Sequence, residues 1–181
     1  MTVVEIDPVR ALTAHMDGHR VASLAQALPD ADVVITATGL TEAVPAEAFE
    51  LLKSGVVLAN AGHHDREIDV PALEAAAESS VDARPGVRTY VLGGRRLHVL
   101  VEGALVNIAG LDGNPIEIMD LSFSVQALSV HHLASASLPP GVHDFPAELD
   151  DLIARTKLQT LGIELDGSSA AQQRFKHSWA V

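Results

Sequence analysis

The chain has 181 residues, 48% of them hydrophobic but only 3% aromatic, and a formal net charge of -12 at pH 7. That size and composition suit one domain with an aliphatic core and at most a small appendage. The acidic balance argues against nucleic acid and anionic membranes as partners, and the absence of cysteine excludes disulfides, thiol catalysis and Cys-based zinc sites.

The first residues lack the basic and apolar segments of a signal peptide. Val3-Val4-Glu5-Ile6 reads as a short strand, and Asp7-Pro8 as a helix cap followed by proline at the first helical position. A helix over Val9 to Met16 then ends near Gly18. A strand that closes on an acid directly before a helix suits ribose recognition in dinucleotide-binding folds, which makes Glu5 a candidate. Asp7 serves equally as a plain cap. Val21 starts a short strand, and Ser23 to Ala27 form a helical turn. Asp32 to Ala37 is an apolar run of buried-strand type, closed by Thr38-Gly39. Pro45 to Lys53 fits a helix, and Gly55 to Asn60 the next strand.

The stretch Ala59 to Asp69, A-N-A-G-H-H-D-R-E-I-D, follows that strand and leads into an Ala-rich helix over Val70 to Glu78. In α/β proteins ligands sit at the carboxyl ends of strands, so the stretch is the candidate site. His63 and His64 are adjacent and point to opposite sides of an extended turn, so one can face the site while the other faces solvent. Asp65 and Asp69 suit capping of the following helix. Strand, helix, strand, helix at this spacing predicts a parallel sheet with helical crossovers.

Further on, Arg88 to Leu92 and Arg96 to Val101 flank Gly93-Gly94 and predict a hairpin with a primed turn. The longest apolar run, Leu97 to Leu111, is broken by His98, Glu102 and Asn107 and falls short of a membrane span. Ala104 to Ile108 reads as one more strand, and Asn107 at the end of such a run needs a polar partner. After a turn at Asp112-Gly113-Asn114-Pro115, a long helix is expected over Ile116 to Ala134, with His131-His132 on its surface. Ser135 to Pro140 is linker-like, Pro146 to Leu161 forms an amphipathic helix with solvated acids at Glu148 to Asp151, and the last dozen residues are polar. No His-x₃-His pair on a helix has an acid partner, so no metal site is expected.

Several segments resemble the cofactor domain of the adenosylhomocysteinase (S-adenosylhomocysteine hydrolase) family. They are Val4-Glu5-Ile6-Asp7-Pro8 with Ala11-Leu12 and Met16-Asp17-Gly18, Thr36-Ala37-Thr38-Gly39, Asn60-Ala61-Gly62-His63 with Asp65, and Glu67-Ile68-Asp69-Val70. Gly94-Arg95-Arg96, Glu102-Gly103, Leu105-Val106-Asn107 and Gly141-Val142-His143 match as well, and the similarity is collinear over nearly the whole chain. The resemblance implies a mechanism of oxidation, elimination and reduction on a tightly held NAD. It implies that Glu5 binds the adenosine ribose of NAD, and that Thr36, Thr38 and Gly39 line the cofactor. Gly62, His63 and Asn107 would then lie near the nicotinamide and the substrate sugar, with His63 as the catalytic candidate and His64 and Asn114 as substrate-binding candidates.

The chain also departs from that family. The substrate domain that precedes the cofactor domain has no counterpart here, nor does the cofactor domain's first strand with its glycine-rich phosphate loop. No G-x-G-x-x-G occurs in the sequence, which weighs against tight NAD binding by these residues alone. Asn114-Pro115 stands where the family has His-Pro, and Asn cannot titrate near neutral pH. The terminal run Phe175 to Val181 matches poorly, with Lys176 as the plausible remnant.

The expected fold is therefore α/β: an incomplete Rossmann-like parallel sheet with helical crossovers over residues 1–134, plus a β-hairpin, then a linker, C-terminal helix and tail over residues 135–181. Without its central strand, such a sheet has either a gap with two free edges or re-paired flanking strands. Free apolar edges predict a homo-oligomer or a complex with a complementary chain. The expected protein is cytoplasmic and binds NAD or an adenosine-type small-molecule ligand, with hydrolase-type chemistry when a partner chain completes the site. Two other readings are an NAD-independent enzyme of specialised metabolism using His63 as general acid or base, and a non-catalytic pseudoenzyme that serves as an interaction module.

Overall fold

The computed structural model describes residues 1–178 and divides into two units, Met1–Gly113 and the residues from Asn114 onward. The first unit holds the sheets. Strand β1 (Thr2–Val3) pairs in parallel with β2 (Arg20–Val21), and helix α1 (Pro8–Met16) makes the crossover. The Asp7 carboxylate caps α1 by accepting the N–H groups of Val9 (2.8 Å) and Arg10 (3.0 Å), as Asp-Pro at a helix start requires. The first strand stops at Val3 and does not run on to Ile6. The cause is local: Glu5 Oε1 accepts the N–H groups of Ile6 (2.7 Å) and Asp7 (2.9 Å), turning the chain before the helix.

After a short helix α2 (Leu24–Ala27), strand β3 (Val33–Thr36) pairs in parallel with β4 (Val57–Asn60) along its full length, Thr36 opposite Asn60. Helix α3 (Val70–Ala76) follows, capped by Asp69, which accepts the Ala72 N–H at 3.1 Å. Strands β5 (Ser79–Arg84), β6 (Val87–Leu92) and β7 (Arg95–Leu100) complete a five-stranded sheet of order β3-β4-β7-β6-β5, parallel from β3 through β7 and antiparallel beyond. The β6–β7 hairpin turns through Gly93 (φ 56°) and Gly94 (φ 71°), the pair of positive φ values that a type I′ turn demands. The core beneath the sheet is aliphatic with one phenylalanine and one tyrosine: Phe49, Leu58, Ile68, Leu73, Tyr90 and Leu97 are among its fully enclosed side chains.

Three segments differ from the sequence-based expectation. The segment Pro45 to Lys53 is a 3₁₀ helix over Ala46–Leu51 rather than an α-helix. Ala104 to Ile108 is not a strand. The chain makes a 3₁₀ turn over Val101–Gly103 and a short helix α4 (Val106–Ala109), leaving one parallel bridge between Asn60 and Leu105. The turn forms because Val101, Glu102 and Gly103 all take positive φ (44°, 55° and 80°), which ends strand geometry at once. The edge strand β5 lies outside the expected strands: all six of its residues are exposed, and Val81 is its one large apolar residue, so its alternation is too short and weak to mark a strand.

The two sheets remain separate. Of the two arrangements expected for a sheet without its central strand, the chain adopts the gap. The outer edge of β3 has no strand beside it among the described residues, and Val33 and Ile35 on that strand are 56% and 65% exposed.

The second unit consists of helices α5 (Ile116–Ser135), α6 (Ala147–Thr160) and α7 (Ala170–Ser178). Lys157 on α6 pairs with Asp120 on α5 at 2.7 Å. No residue of α5 is buried, although the helix is largely apolar. Of the terminal run read from the sequence, Trp179 to Val181 lie outside the described residues. No helix among the described residues is long and apolar enough to cross a membrane.

Candidate strand-end site

The carboxyl ends of β3 and β4 are joined by two buried polar side chains. Asn60, the last residue of β4, is fully enclosed and uses both halves of its amide. Its Oδ1 accepts the Gly62 N–H (2.7 Å) and the Thr36 hydroxyl (3.2 Å). Its Nδ2 donates to the carbonyls of His64 (2.7 Å) and Gly103 (2.9 Å). One side chain therefore closes the 61–64 loop and ties it to β3 on one side and to the turn after β7 on the other. That turn is strained at Val101, a β-branched residue at φ 44°. Its side chain sits between two glycines, 3.5 Å and 2.9 Å from the positions where Cβ atoms on Gly86 and Gly110 would lie.

Glu67 is the second anchor and is also completely enclosed. Its Oε2 accepts the N–H (2.8 Å) and hydroxyl (2.9 Å) of Thr38, and its Oε1 accepts the N–H of Gly39 at 2.7 Å. Burial pushes the carboxyl pKa up. The donations from the Thr38 and Gly39 backbone, with that of the Thr38 hydroxyl, outweigh it and hold the group below the ordinary glutamate value. Gly62 makes room for this carboxylate: a Cβ there would lie 1.6 Å from Glu67 Oε1. The backbone around Glu67 is fixed too, since its carbonyl accepts the Val44 N–H (2.9 Å) and the Arg66 carbonyl accepts the Glu42 N–H (2.8 Å).

Thr36, Thr38, Gly39, Gly62, His63 and His64 thus come together at adjacent strand ends. The two histidines are exposed, and their rings meet edge-on with centroids 4.9 Å apart. Asn107 is half-buried on α4, and its carbonyl accepts the Gly113 N–H at 2.8 Å. Glu5 lies in the loop between β1 and α1, with Oε1 engaged by the N–H groups of Ile6 and Asp7. Asn114 opens the second unit and is exposed. Among the described residues, no group of three or more His, Asp or Glu could hold a metal ion.

The two residues that organise this site, Asn60 and Glu67, carried no assigned role in the sequence reading. Each left a signal. Asn60 ends an apolar strand, the same argument that singled out Asn107. Glu67 directly precedes the apolar Ile68 and, with it, is enclosed, where an acid must be satisfied by donors.

A family model described as "S-adenosyl-L-homocysteine hydrolase, NAD binding domain" matches residues 1–113. The chain is 44% identical over 177 residues to an S-inosyl-L-homocysteine hydrolase of Methanosarcina mazei, covering 98% of this chain and 43% of that protein. It is 44% identical over 180 residues to an adenosylhomocysteinase of Thermococcus kodakarensis, with the same shares. It is also 44% identical to an adenosylhomocysteinase of Thermotoga maritima, covering 98% of this chain and 45% of that one. The chain spans less than half the length of these relatives.

Proposed function

The chain belongs to the S-adenosyl-L-homocysteine hydrolase family through its NAD-binding domain, and from that premise we propose that it forms the dinucleotide-binding half of a hydrolase site for a purine-nucleoside thioether of homocysteine. The relatives are named for the S-adenosyl and the S-inosyl compound, and the chemistry common to both is the thioether-bearing ribose. The observation that carries this reading is the joining of the Thr38-Gly39 and Gly62-His63 turns at the ends of two adjacent parallel strands by Glu67 and Asn60. This is the place where an open α/β sheet receives a ligand.

The residues fit a dinucleotide in part. Thr38 and Gly39 are exposed at the strand end and available to a sugar or a ring, Thr36 and Gly62 lie buried beneath them, and Asn107 follows the turn that Asn60 holds. His63, exposed beside them, is the candidate catalytic group. Asn114 and His64 are candidates for the substrate sugar, and Glu5 for the cofactor's adenosine ribose. A pyrophosphate cradle is not part of the fit: the sequence has no G-x-G-x-x-G, and the Thr38 and Gly39 N–H groups are already engaged. Segments beyond this chain's matched portion would supply it, on the same polypeptide or on a partner at the open β3 edge.

The test is calorimetric titration with NAD, for the chain alone and for the chain mixed with the remaining segment of a relative such as the Thermotoga maritima enzyme. The expected result is saturable NAD binding in the mixture and much weaker binding by the chain alone. Absence of NAD binding in the mixture, with both polypeptides folded by circular dichroism, overturns the proposal.

A further inference from the structure

The Glu67 carboxylate stands where a bound anion would. Two successive backbone N–H groups, those of Thr38 and Gly39, converge on it together with the Thr38 hydroxyl. Gly39 takes φ 69° to make this possible. Converging N–H groups in a loop after a parallel strand are a standard means of holding phosphates. Here the chain fills the cradle itself.

Two further observations show how firmly it is filled. Glu67 has no exposed surface, and a Cβ at Gly62 would overlap its carboxylate, so the group is packed against that α-carbon and enclosed on that side. Its charge is also balanced by dipoles alone. The ion pairs among the described residues engage Asp32, Glu50, Glu74, Glu102, Asp120 and Asp151, and not Glu67. A buried anion without a cation leaves a negative potential over the adjoining strand ends, where the low dielectric strengthens it.

We infer that Glu67 is a specificity-determining residue that closes the strand-end loop to phosphoryl and carboxylate groups, so that this part of the site receives an uncharged sugar or a cationic ring. The inference rests on the reading above that a nucleotide-type ligand lies across these strand ends, and it deepens that reading by naming the residue that keeps anionic groups out of them. A phosphate entering the loop would have to displace a carboxylate that already has its donors, and would meet like charge while doing so. Glu67 acts here without touching the reacting atoms, by occupying donors and setting the sign of the field.

The test follows the backbone amide resonances of Thr38 and Gly39 in isotopically labelled full chain during titration with inorganic phosphate. In the wild-type protein, millimolar phosphate is expected to leave both amides unmoved. In Glu67→Ala, phosphate and formate are each expected to shift both amides saturably, since the vacated cradle offers two N–H groups and a hydroxyl. Glu67→Ser also empties the cradle and places a small polar group at its margin. It reports the same response if the alanine variant does not fold, with phosphate again expected to move both amides. A saturable phosphate shift at these amides in the wild type overturns the inference, and so does a folded Ala or Ser variant that stays as insensitive as the wild type. Failure of NAD to bind the completed protein, with the phosphate results as expected, overturns the functional proposal and leaves this one standing.

Discussion

Gly62 and Glu67 share one space: the carboxylate oxygen that holds Gly39 lies where a side chain on Gly62 would begin, 1.6 Å from an ideal Cβ. A methyl group at position 62 therefore evicts Glu67 from its cradle. Overpacking of an enclosed site costs about 1–3 kcal/mol, and each donor left unsatisfied adds about 1–3 kcal/mol, so Gly62→Ala is expected to destabilise the first unit by roughly 3 kcal/mol or more. Urea unfolding gives the value. The double variant Gly62→Ala/Glu67→Ala should lose less than the sum of the two single changes, since the clash and the buried charge vanish together. Strict additivity would mean that the two groups do not meet.

The same carboxylate predicts an acid-sensitive stability. Its pKa is lower in the folded protein than in the unfolded chain, because the Thr38 and Gly39 donations outweigh burial. Its contribution is therefore fully present above the unfolded glutamate value, about pH 4.3, and is lost as pH falls below that value toward the folded one. Urea midpoints measured from neutral pH down into the acid range should fall more steeply for the wild type than for Glu67→Gln. Asp7 is also held low, chiefly by the Arg10 N–H at the start of α1. It stays in both proteins, so the difference between the two curves isolates Glu67. Parallel curves would show that Glu67 does not titrate in this window.

Local chemistry made much of this fold legible in the sequence. Asp7-Pro8 announced α1, Gly93-Gly94 announced the hairpin, and the apolar run ending at Asn60 announced β4, because each depends on neighbours along the chain. The turn at Val101–Gly103 was not legible. Its positive φ values depend on contacts with Gly86 and Gly110 that no local pattern encodes. The site divided along the same line. Strand-end placement pointed to Thr38, Gly39, Gly62 and His63, whereas the roles of Asn60 and Glu67 arise from partners up to 43 and 29 residues away. The sequence left open both a gap and a re-pairing of the flanking strands, because the choice between them is a question of packing; the two sheets are separate.

Asn60 gives a prediction that separates loop order from global stability. It satisfies the Gly62 N–H and anchors the His64 and Gly103 carbonyls. Asn60→Ala leaves these buried groups without partners and is expected to cost about 2–4 kcal/mol. Asn60→Asp keeps the acceptor and loses both donations, so it should retain the Gly62 bond while freeing the His64 end. Amide hydrogen exchange reads the difference. Gly62 protection should drop sharply in the alanine variant and much less in the aspartate one. Equal loss in both would show that the Oδ1 acceptor is not what orders the loop.

The open flank of β3 predicts association. Val33 and Ile35 alternate along an edge strand whose outer backbone groups have no neighbouring strand among the described residues. A free apolar edge invites pairing with another strand, and a lysine placed on it is a common way to discourage this. In light scattering coupled to size exclusion, the wild-type chain is expected to show a mass above that of one copy, rising with concentration. Val33→Lys and Ile35→Lys should lower that mass. Both side chains are exposed, so neither change should shift the unfolding free energy of the separated protein, measured in urea, by more than about 0.5 kcal/mol. If the lysine variants keep the wild-type mass, the edge is not the contact. If the wild type is a single copy at every concentration, β3 does not recruit another copy. The segment that covers it would then have to belong to the same polypeptide or to a different protein, which the mixing experiment with the relative's remaining segment reads directly.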